Sequence, residues 1–273
     1  MTQTRADTLS GRVHFLARTV YSTLRRPKLN RDTLNVVQEY SDGWSEYYTY
    51  LERAGSLEQW LTIAGVQDQP SWRNIDGRLE YGVFDATAFY RAAILSALRE
   101  HFPNARSIIE FGCGVGRNVM YLKRELPQAQ LFGYELCTPG VEVAQTAAAK
   151  FGTEVQYAQL DYVNDPPSKY KFGQSDVAFT LFSLEQLPRQ NARALRNILA
   201  HVELGSIHIE PVPENYPYSV RGMLGRIDHW KVDYLAGFDR AVRALNLKGV
   251  HVQRLASAHN PLMFPSRYVL LKR

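Results

Sequence analysis

The sequence contains only two cysteines, Cys113 and Cys137, among 273 residues. Their spacing is not that of a zinc site, and we expect reduced thiols in a cytoplasmic protein. No run of about 18 apolar residues is present, so we expect no membrane-spanning segment. The first residues also lack the apolar stretch of a secretory signal peptide. Because no group of residues has metal-ligand spacing, we expect no metal.

Acidic residues are scarce at the amino-terminal end. Residues 1–31 contain seven basic residues and one acid, Asp7, although the net charge of the whole chain is only +5. The rest of the chain is therefore close to neutral. A neutral body lacks the basic stripe that typically binds nucleic acid, so a nucleic-acid partner is not expected.

The basic end is also amphipathic. Residues 9–25 place Leu9, Val13, Leu16, Val20 and Leu24 at helical spacing, with the arginines off this stripe. Two interpretations are open. The helix packs on its own domain, or it contacts a partner or an anionic membrane surface from the cytoplasmic side.

The next segments complete a predicted amino-terminal cap region. An aromatic-rich stretch at residues 41–63 predicts a second helix, and residues 67–77 are turn-rich and predict a linker. We therefore divide the chain into a helical cap region, residues 1–80, and a main domain, residues 81–273.

The main domain alternates between apolar strand-like runs and helical runs, which predicts an α/β fold with a doubly wound, mostly parallel seven-stranded sheet. Asp85 is expected to cap a helix that ends near His101. The last two strands have no helix between them, so they predict an antiparallel hairpin at one edge. The predicted strands cover residues 107–112, 129–136, 155–161, 175–182, 205–212, 249–256 and 266–273. The later helices lie near residues 117–126, 139–151, 188–202 and 234–247.

The sequence IIEFGCGVGRNVMYL, residues 108–122, leads from the first of these strands into a helix. Its glycines, Gly112, Gly114 and Gly116, allow a sharp turn and a close approach of a ligand to the backbone. Arg117 stands where the dinucleotide fingerprint has its third glycine, which argues against a dehydrogenase. Glu110 suits a ligand with a cationic end rather than a pyrophosphate.

The EFGCGVG segment resembles the first motif of class I S-adenosylmethionine-dependent methyltransferases, and the resemblance extends over residues 81–273. It implies a Rossmann-like fold and S-adenosylmethionine as the cofactor, with the glycine loop along its methionine part. It further implies that Glu135 accepts hydrogen bonds from the ribose hydroxyls, and that Asp161 and Tyr162 lie near the adenine. Phe182 begins a segment, ending at Leu187, that leads from cofactor to substrate.

The catalytic residue is less clearly indicated. A hydroxyl acceptor needs a general base, and acids or histidines after the fourth and fifth strands are the candidates. We favour His229, in the insertion after the fifth strand, over Glu210 and Glu185. The expected activity is O-methylation of a small molecule or a sugar hydroxyl. The alternatives are an RNA or protein methyltransferase, and a scaffold that binds S-adenosylmethionine without catalysis.

Overall fold

A seven-stranded sheet forms the centre of the protein. The computed structural model describes residues 9–31, 33–62, 70–75, 78–257 and 260–272. The strand order is β5-β4-β3-β6-β7-β9-β8, and all neighbours are parallel except that β9 runs antiparallel to β7 and β8. This confirms the predicted mostly parallel sheet and its edge hairpin. The strands are β3 (Ser107–Phe111), β4 (Gln130–Glu135), β5 (Val155–Gln159), β6 (Ser175–Leu181), β7 (Val202–Pro211), β8 (Gly249–Arg254) and β9 (Pro265–Leu271).

Helices cover both faces of the sheet. Ile108 and Ile109 are adjacent in β3 but belong to two separate apolar clusters, because successive side chains of a strand point to opposite faces. Asp85 caps α4 by accepting a hydrogen bond from the Ala88 amide at 2.8 Å, as predicted. One face packs against α4 (Ala86–His101), α5 (Arg117–Glu125) and α6 (Thr138–Phe151), and the other against α7 (Asn191–Ala200) and α9 (Phe238–Arg243).

The amino-terminal region differs from the prediction in two places. The helix predicted over residues 41–63 is two helices, α2 (Thr33–Arg53) and α3 (Leu57–Thr62), separated by a short break. At that break the Ser56 hydroxyl accepts a hydrogen bond from the Gln59 amide at 3.2 Å, which begins α3. The first helix, α1 (Leu9–Arg25), spans the predicted residues.

The predicted linker contains a strand. β1 (Ser71–Ile75) pairs with β2 (Arg78–Gly82), and Trp72 lies opposite Tyr81 with ring centroids 5.3 Å apart. Such a cross-strand aromatic pair stabilises a hairpin, which turn-residue content alone did not reveal. Residues 67–69, 76 and 77 of that linker lie outside the described residues. The boundary between residues 80 and 81 stays a prediction, and it falls within β2.

The insertion between β7 and α9 contains a helix, α8 (Val220–Lys231). Ser219 caps it by accepting a hydrogen bond from the Gly222 amide. α1 packs against α8, where Arg26 forms a 2.9 Å ion pair with Asp228. Within the ranges given above, no helix is both long enough and apolar enough to cross a bilayer.

Candidate functional site

The glycine loop between β3 and α5 is tightly covered by two other segments. Gly112 and Gly114 have φ angles of 77° and 53°, which side chains rarely adopt. A Cβ on Gly112 would lie 2.0 Å from the Ser183 hydroxyl, and one on Gly114 would lie 2.8 Å from the Trp44 ring. Glycine is therefore required at both positions, because the φ angles are positive and because α2 and the loop after β6 leave no space for a Cβ atom.

A cavity of about 310 Å³ begins at this loop, at the carboxyl ends of β3, β4, β5 and β6. This is where open α/β sheets bind their ligands. Its lining from α2 consists of Val36 and two aromatic residues, Tyr40 and Trp44. The rest of the lining includes Gly112–Gly114, Asn118, Glu135–Cys137, Leu160–Val163, Leu181–Ser183, Glu185–Leu187 and Gln190.

Glu135 lies at the end of β4 and lines the cavity. Its Oε2 accepts a hydrogen bond from the Gly114 amide at 2.8 Å, and its Oε1 accepts one from the Cys137 amide at 3.0 Å. Burial raises the pKa of this carboxyl, and the hydrogen bonds from the backbone oppose that shift. The carboxylate is thus fixed in orientation against the glycine loop, and each oxygen retains capacity to accept a further hydrogen bond.

Asp161 and Tyr162 follow β5 and also line the cavity. The Asp161 carboxylate accepts hydrogen bonds from the Val163 and Asn164 amides, each at 3.0 Å, so it closes its own turn. The Tyr162 hydroxyl lies 2.9 Å from that of Ser183. The structure therefore brings the predicted adenine-side residues to the cavity and links them to the loop after β6.

Glu110 and Gly116 do not line the cavity. Glu110 is buried, and its Oε1 accepts a hydrogen bond from Asn118, which does line it. Burial raises the pKa of Glu110 to about 8. The Gly116 carbonyl accepts a hydrogen bond from Tyr157, whose ring would lie 2.6 Å from a Cβ at Gly116. Both residues therefore support the glycine loop through contacts outside the cavity.

The segment after β6 contains a strained residue and an unsatisfied carboxyl group. Phe182 has a φ of 53°, an uncommon angle for a bulky residue and one that occurs mainly at functional sites. Glu185 faces the cavity, and its Oε1 accepts a hydrogen bond from Gln186 at 2.8 Å. Its Oε2 is buried and has no hydrogen-bond partner among the described residues. Burial and the nearby Glu210 hold the pKa of Glu185 well above its usual range.

Glu210 anchors this segment from the end of β7. It is fully buried and accepts hydrogen bonds from the Thr180 hydroxyl and from the amides of Ser183, Leu184 and Glu185. Burial raises its pKa to about 7 against the effect of these bonds. Its oxygens are thus occupied in holding the loop, and it does not line the cavity.

His229 lies outside the cavity, on the buried side of α8. Its Nε2 lies 2.6 Å from the Leu235 carbonyl, and its Nδ1 lies 3.5 Å from the Tyr216 hydroxyl. Burial lowers the pKa of His229 to about 4, so the ring is neutral at pH 7. The structure places this favoured candidate beside a separate groove that Lys28 and Trp230 also line.

Several cavity residues were missed because their positions depend on distant segments. Asn118 and Gln190 carry no sequence motif of their own, whereas Ser183 and Gln186 lie within the predicted segment from Phe182 to Leu187 but were not singled out. Tyr40 lies just before the predicted second helix. The aromatic content of that helix was the signal that could have indicated Tyr40, since its neighbour Trp44 covers Gly114.

Comparisons with known proteins agree with this architecture. Residues 108–205 match the model of a family described as a methyltransferase domain. A search of curated protein sequences found no match. Solved structures with the same fold include magnesium protoporphyrin IX methyltransferase from Synechocystis PCC 6803 with bound SAH. That pair has a TM-score of 0.58 and 12% identity over 89% of this chain and 100% of the other.

Two other solved structures show the same fold. The plantazolicin methyltransferase BpumL in complex with SAH has a TM-score of 0.51 and 13% identity, over 97% of this chain and 99% of the other. Geranyl diphosphate methyltransferase in complex with GPP and sinefungin has a TM-score of 0.54 and 12% identity, over 70% of this chain and 82% of the other. Residues 108–205 therefore match a methyltransferase-domain family, and the chain has the fold of these solved methyltransferases, as the glycine motif predicted.

Proposed function

We propose that this protein transfers a methyl group from S-adenosylmethionine to a hydroxyl group of a small molecule or a sugar. The observation that carries the proposal is that one cavity is lined by the glycine loop, by Glu135 and by Glu185, whose Oε2 has no hydrogen-bond partner among the described residues. The solved structures of the same fold support the methyl-transfer part of the proposal, because their names describe methyltransferases bound to SAH or sinefungin.

The residues of the cavity fit this cofactor. Glu135 has free acceptor capacity for the ribose hydroxyls, and Asp161 and Tyr162 line the region expected for the adenine. Tyr40 and Trp44 add aromatic rings, which attract a cation such as a sulfonium. The Trp44 Nε1 is buried without a hydrogen-bond partner among the described residues, so it can donate to a ligand. When bound, the cofactor supplies an electrophilic methyl group.

Glu185 is the carboxyl group best placed to accept the proton of the acceptor hydroxyl, because it lines the cavity and its buried Oε2 has no hydrogen-bond partner among the described residues. A carboxyl group accepts a proton only in its ionised form; the raised pKa confines that form to higher pH and makes it a stronger base. Glu210 would act through Glu185 by fixing the loop that carries it. His229, fixed on the Leu235 carbonyl outside the cavity, would have a structural role.

We further propose that residues 1–80 act as a cap. α2 packs on α6 and places the Trp44 ring against Gly114, so it covers the cavity on the side of the glycine loop. Excluding water in this way strengthens electrostatic interactions around the reacting atoms.

Calorimetry with S-adenosylhomocysteine, with NAD as the control, tests the cofactor. Glu135→Ala should weaken binding by about 2–4 kcal/mol, since two hydrogen bonds to a charged group are lost. Unchanged affinity would contradict the ribose assignment.

Transfer of a labelled methyl group to a panel of acceptors tests the reaction. Glu185→Gln should lower kcat by about 10²–10⁴ while leaving S-adenosylhomocysteine affinity unchanged, because the amide cannot accept the proton. His229→Asn should retain the kcat of the wild type. The reverse result would make His229 the base. Tight cofactor binding with no turnover on small-molecule, RNA or protein acceptors would indicate a scaffold.

A further inference from the structure

α8 exposes an apolar face to solvent. Val220, Met223, Ile227 and Trp230 recur at helical spacing and are exposed, while Gly222, Gly225, Asp228 and His229 of the same helix are buried. Four large apolar side chains on one solvent-facing stripe are unusual for a helix of a soluble domain, whose apolar side normally faces the core.

α1 adds a second exposed apolar stripe beside the first. Val13 and Leu24 of the predicted stripe, and Tyr21 outside it, are each more than half exposed, so these parts of the helix do not pack on the protein. The two helices join at their carboxyl ends, where Lys231 donates a hydrogen bond to the Leu24 carbonyl and the Lys28 ammonium lies 4.4 Å from the Trp230 ring. The exposed side chains of the two helices therefore adjoin at this end, and we take them together as the α1/α8 surface.

The charge around this surface is mainly positive, although Asp233 also lines the groove beside Lys28 and Trp230 and pairs there with Arg189. Residues 9–31 contain no acid, and they contribute Arg18, Arg25, Arg26 and Lys28, all exposed. The acid within α8, Asp228, is buried and paired with Arg26. Glu214, beside the groove that Lys28 and Trp230 line, is an acid at the edge of the surface. Apolar side chains surrounded by arginine and lysine, with a tryptophan among them, are characteristic of helices that lie in the interface of an anionic bilayer.

We infer that the α1/α8 surface binds the protein reversibly to an anionic lipid bilayer. The apolar side chains of α8 and α1 would enter the region between headgroups and acyl chains, and the basic residues would contact the lipid phosphates. A second copy of the chain is a poorer occupant, because a two-fold interface would place the same basic residues against each other. This inference does not depend on the acceptor or on methyl transfer.

Co-sedimentation of the full-length protein with vesicles tests the inference. Vesicles of phosphatidylglycerol and phosphatidylcholine should bind it at low salt, and binding should weaken at high salt. Vesicles of phosphatidylcholine alone should bind it much less. Trp230 emission should shift to the blue on binding, because this indole is more than half exposed, whereas Trp60 and Trp72 are buried.

Two double variants separate the electrostatic and apolar contributions. Arg18→Gln with Arg25→Gln should lower the partition coefficient about 25-fold, about fivefold for each basic residue. Val220→Ser with Met223→Gln should lower it at unchanged charge. The matched controls are Arg99→Gln with Arg196→Gln, and Val250→Ser with Val252→Ser, which lie exposed elsewhere and should bind as the wild type does.

The inference is overturned if the protein does not bind anionic vesicles at low salt. It is also overturned if the test and control variants lose vesicle binding to the same extent. Sedimentation equilibrium without lipid provides a second measurement. A dimer that Val220→Ser with Met223→Gln dissociates, together with no vesicle binding, would assign the surface to a second copy of the chain.

Discussion

Glu110 is a buried carboxyl group whose ionisation opposes folding. Its Oε1 accepts a hydrogen bond from Asn118, but its Oε2 has no hydrogen-bond partner among the described residues. Burial raises its pKa from 4.5 to about 8. Below pH 4.5 both the folded and the unfolded chain hold this proton. Between the two values the unfolded chain releases it while the folded chain retains it, so rising pH favours unfolding.

Glu110→Gln removes this ionisation and keeps an acceptor for Asn118. We expect the variant to gain stability relative to the wild type as pH rises from 5 to 8, by up to about 1.4 kcal/mol per pH unit. Urea midpoints of both proteins across this range measure the difference. Glu100→Gln, at an exposed position on α4, is the control. Parallel stability curves for wild type and Glu110→Gln would show that Glu110 is ionised in the folded protein.

At the residue scale, site residues could be predicted from the sequence where the residues of a motif lie close together in the chain. The glycine spacing and the acids that end β4 and β5 could be recognised because motif and strand end lie close together in the chain. The positions of Glu185, Glu210 and His229 relative to the cavity could not be predicted from the sequence. It depends on β6 and β7 lying side by side and on α8 turning His229 toward Leu235.

α3 shows how firmly the amino-terminal helices belong to the core. Its Trp60 and Leu61 are buried in the same apolar cluster as residues of α4 and α5. The Leu61 carbonyl also accepts hydrogen bonds from Arg91 and Arg117. Removing residues 1–80 would therefore expose core side chains and leave the buried Arg91 and the partly buried Arg117 without this acceptor.

Leu61→Ala should lower the free energy of unfolding by about 2–5 kcal/mol, the usual cost of a cavity in a packed core. Leu29→Ala, at an exposed position, should change it by less than about 0.5 kcal/mol. Urea denaturation at constant pH measures both. If both substitutions changed the free energy of unfolding by the same small amount, α3 would contribute little to the stability of the core, and the cap would unfold independently of the sheet.

At the element scale, every strand of the large sheet could be predicted because each is a short apolar run bounded by turns and helices. The hairpin of β1 and β2 was missed because its strength comes from the facing Trp72 and Tyr81 rings rather than from an apolar run. The break between α2 and α3 was missed because Gly55 and Ser56 interrupt an otherwise continuous aromatic pattern.

At the scale of the whole molecule, the proposed cofactor should couple the cap to the sheet. Its cavity is lined both by α2 and by the ends of β3 to β6, so a ligand there contacts both. S-adenosylhomocysteine at 100 times its Kd should raise the free energy of unfolding by about 2.7 kcal/mol. It should also slow hydrogen exchange in α2. NAD at the same concentration is the control, and an unchanged urea midpoint with S-adenosylhomocysteine would contradict the cofactor proposal.

The strand order β7-β9-β8 has a consequence for the folding reaction. β9 follows β8 in the chain but lies between β8 and β7, and within the described residues β8 pairs with no other strand. Until β9 is inserted, β7 presents an open edge and β8 has no strand to pair with. An open strand edge invites pairing with other chains. A partly folded molecule in which β9 is still unpaired is thus the state most prone to misassembly.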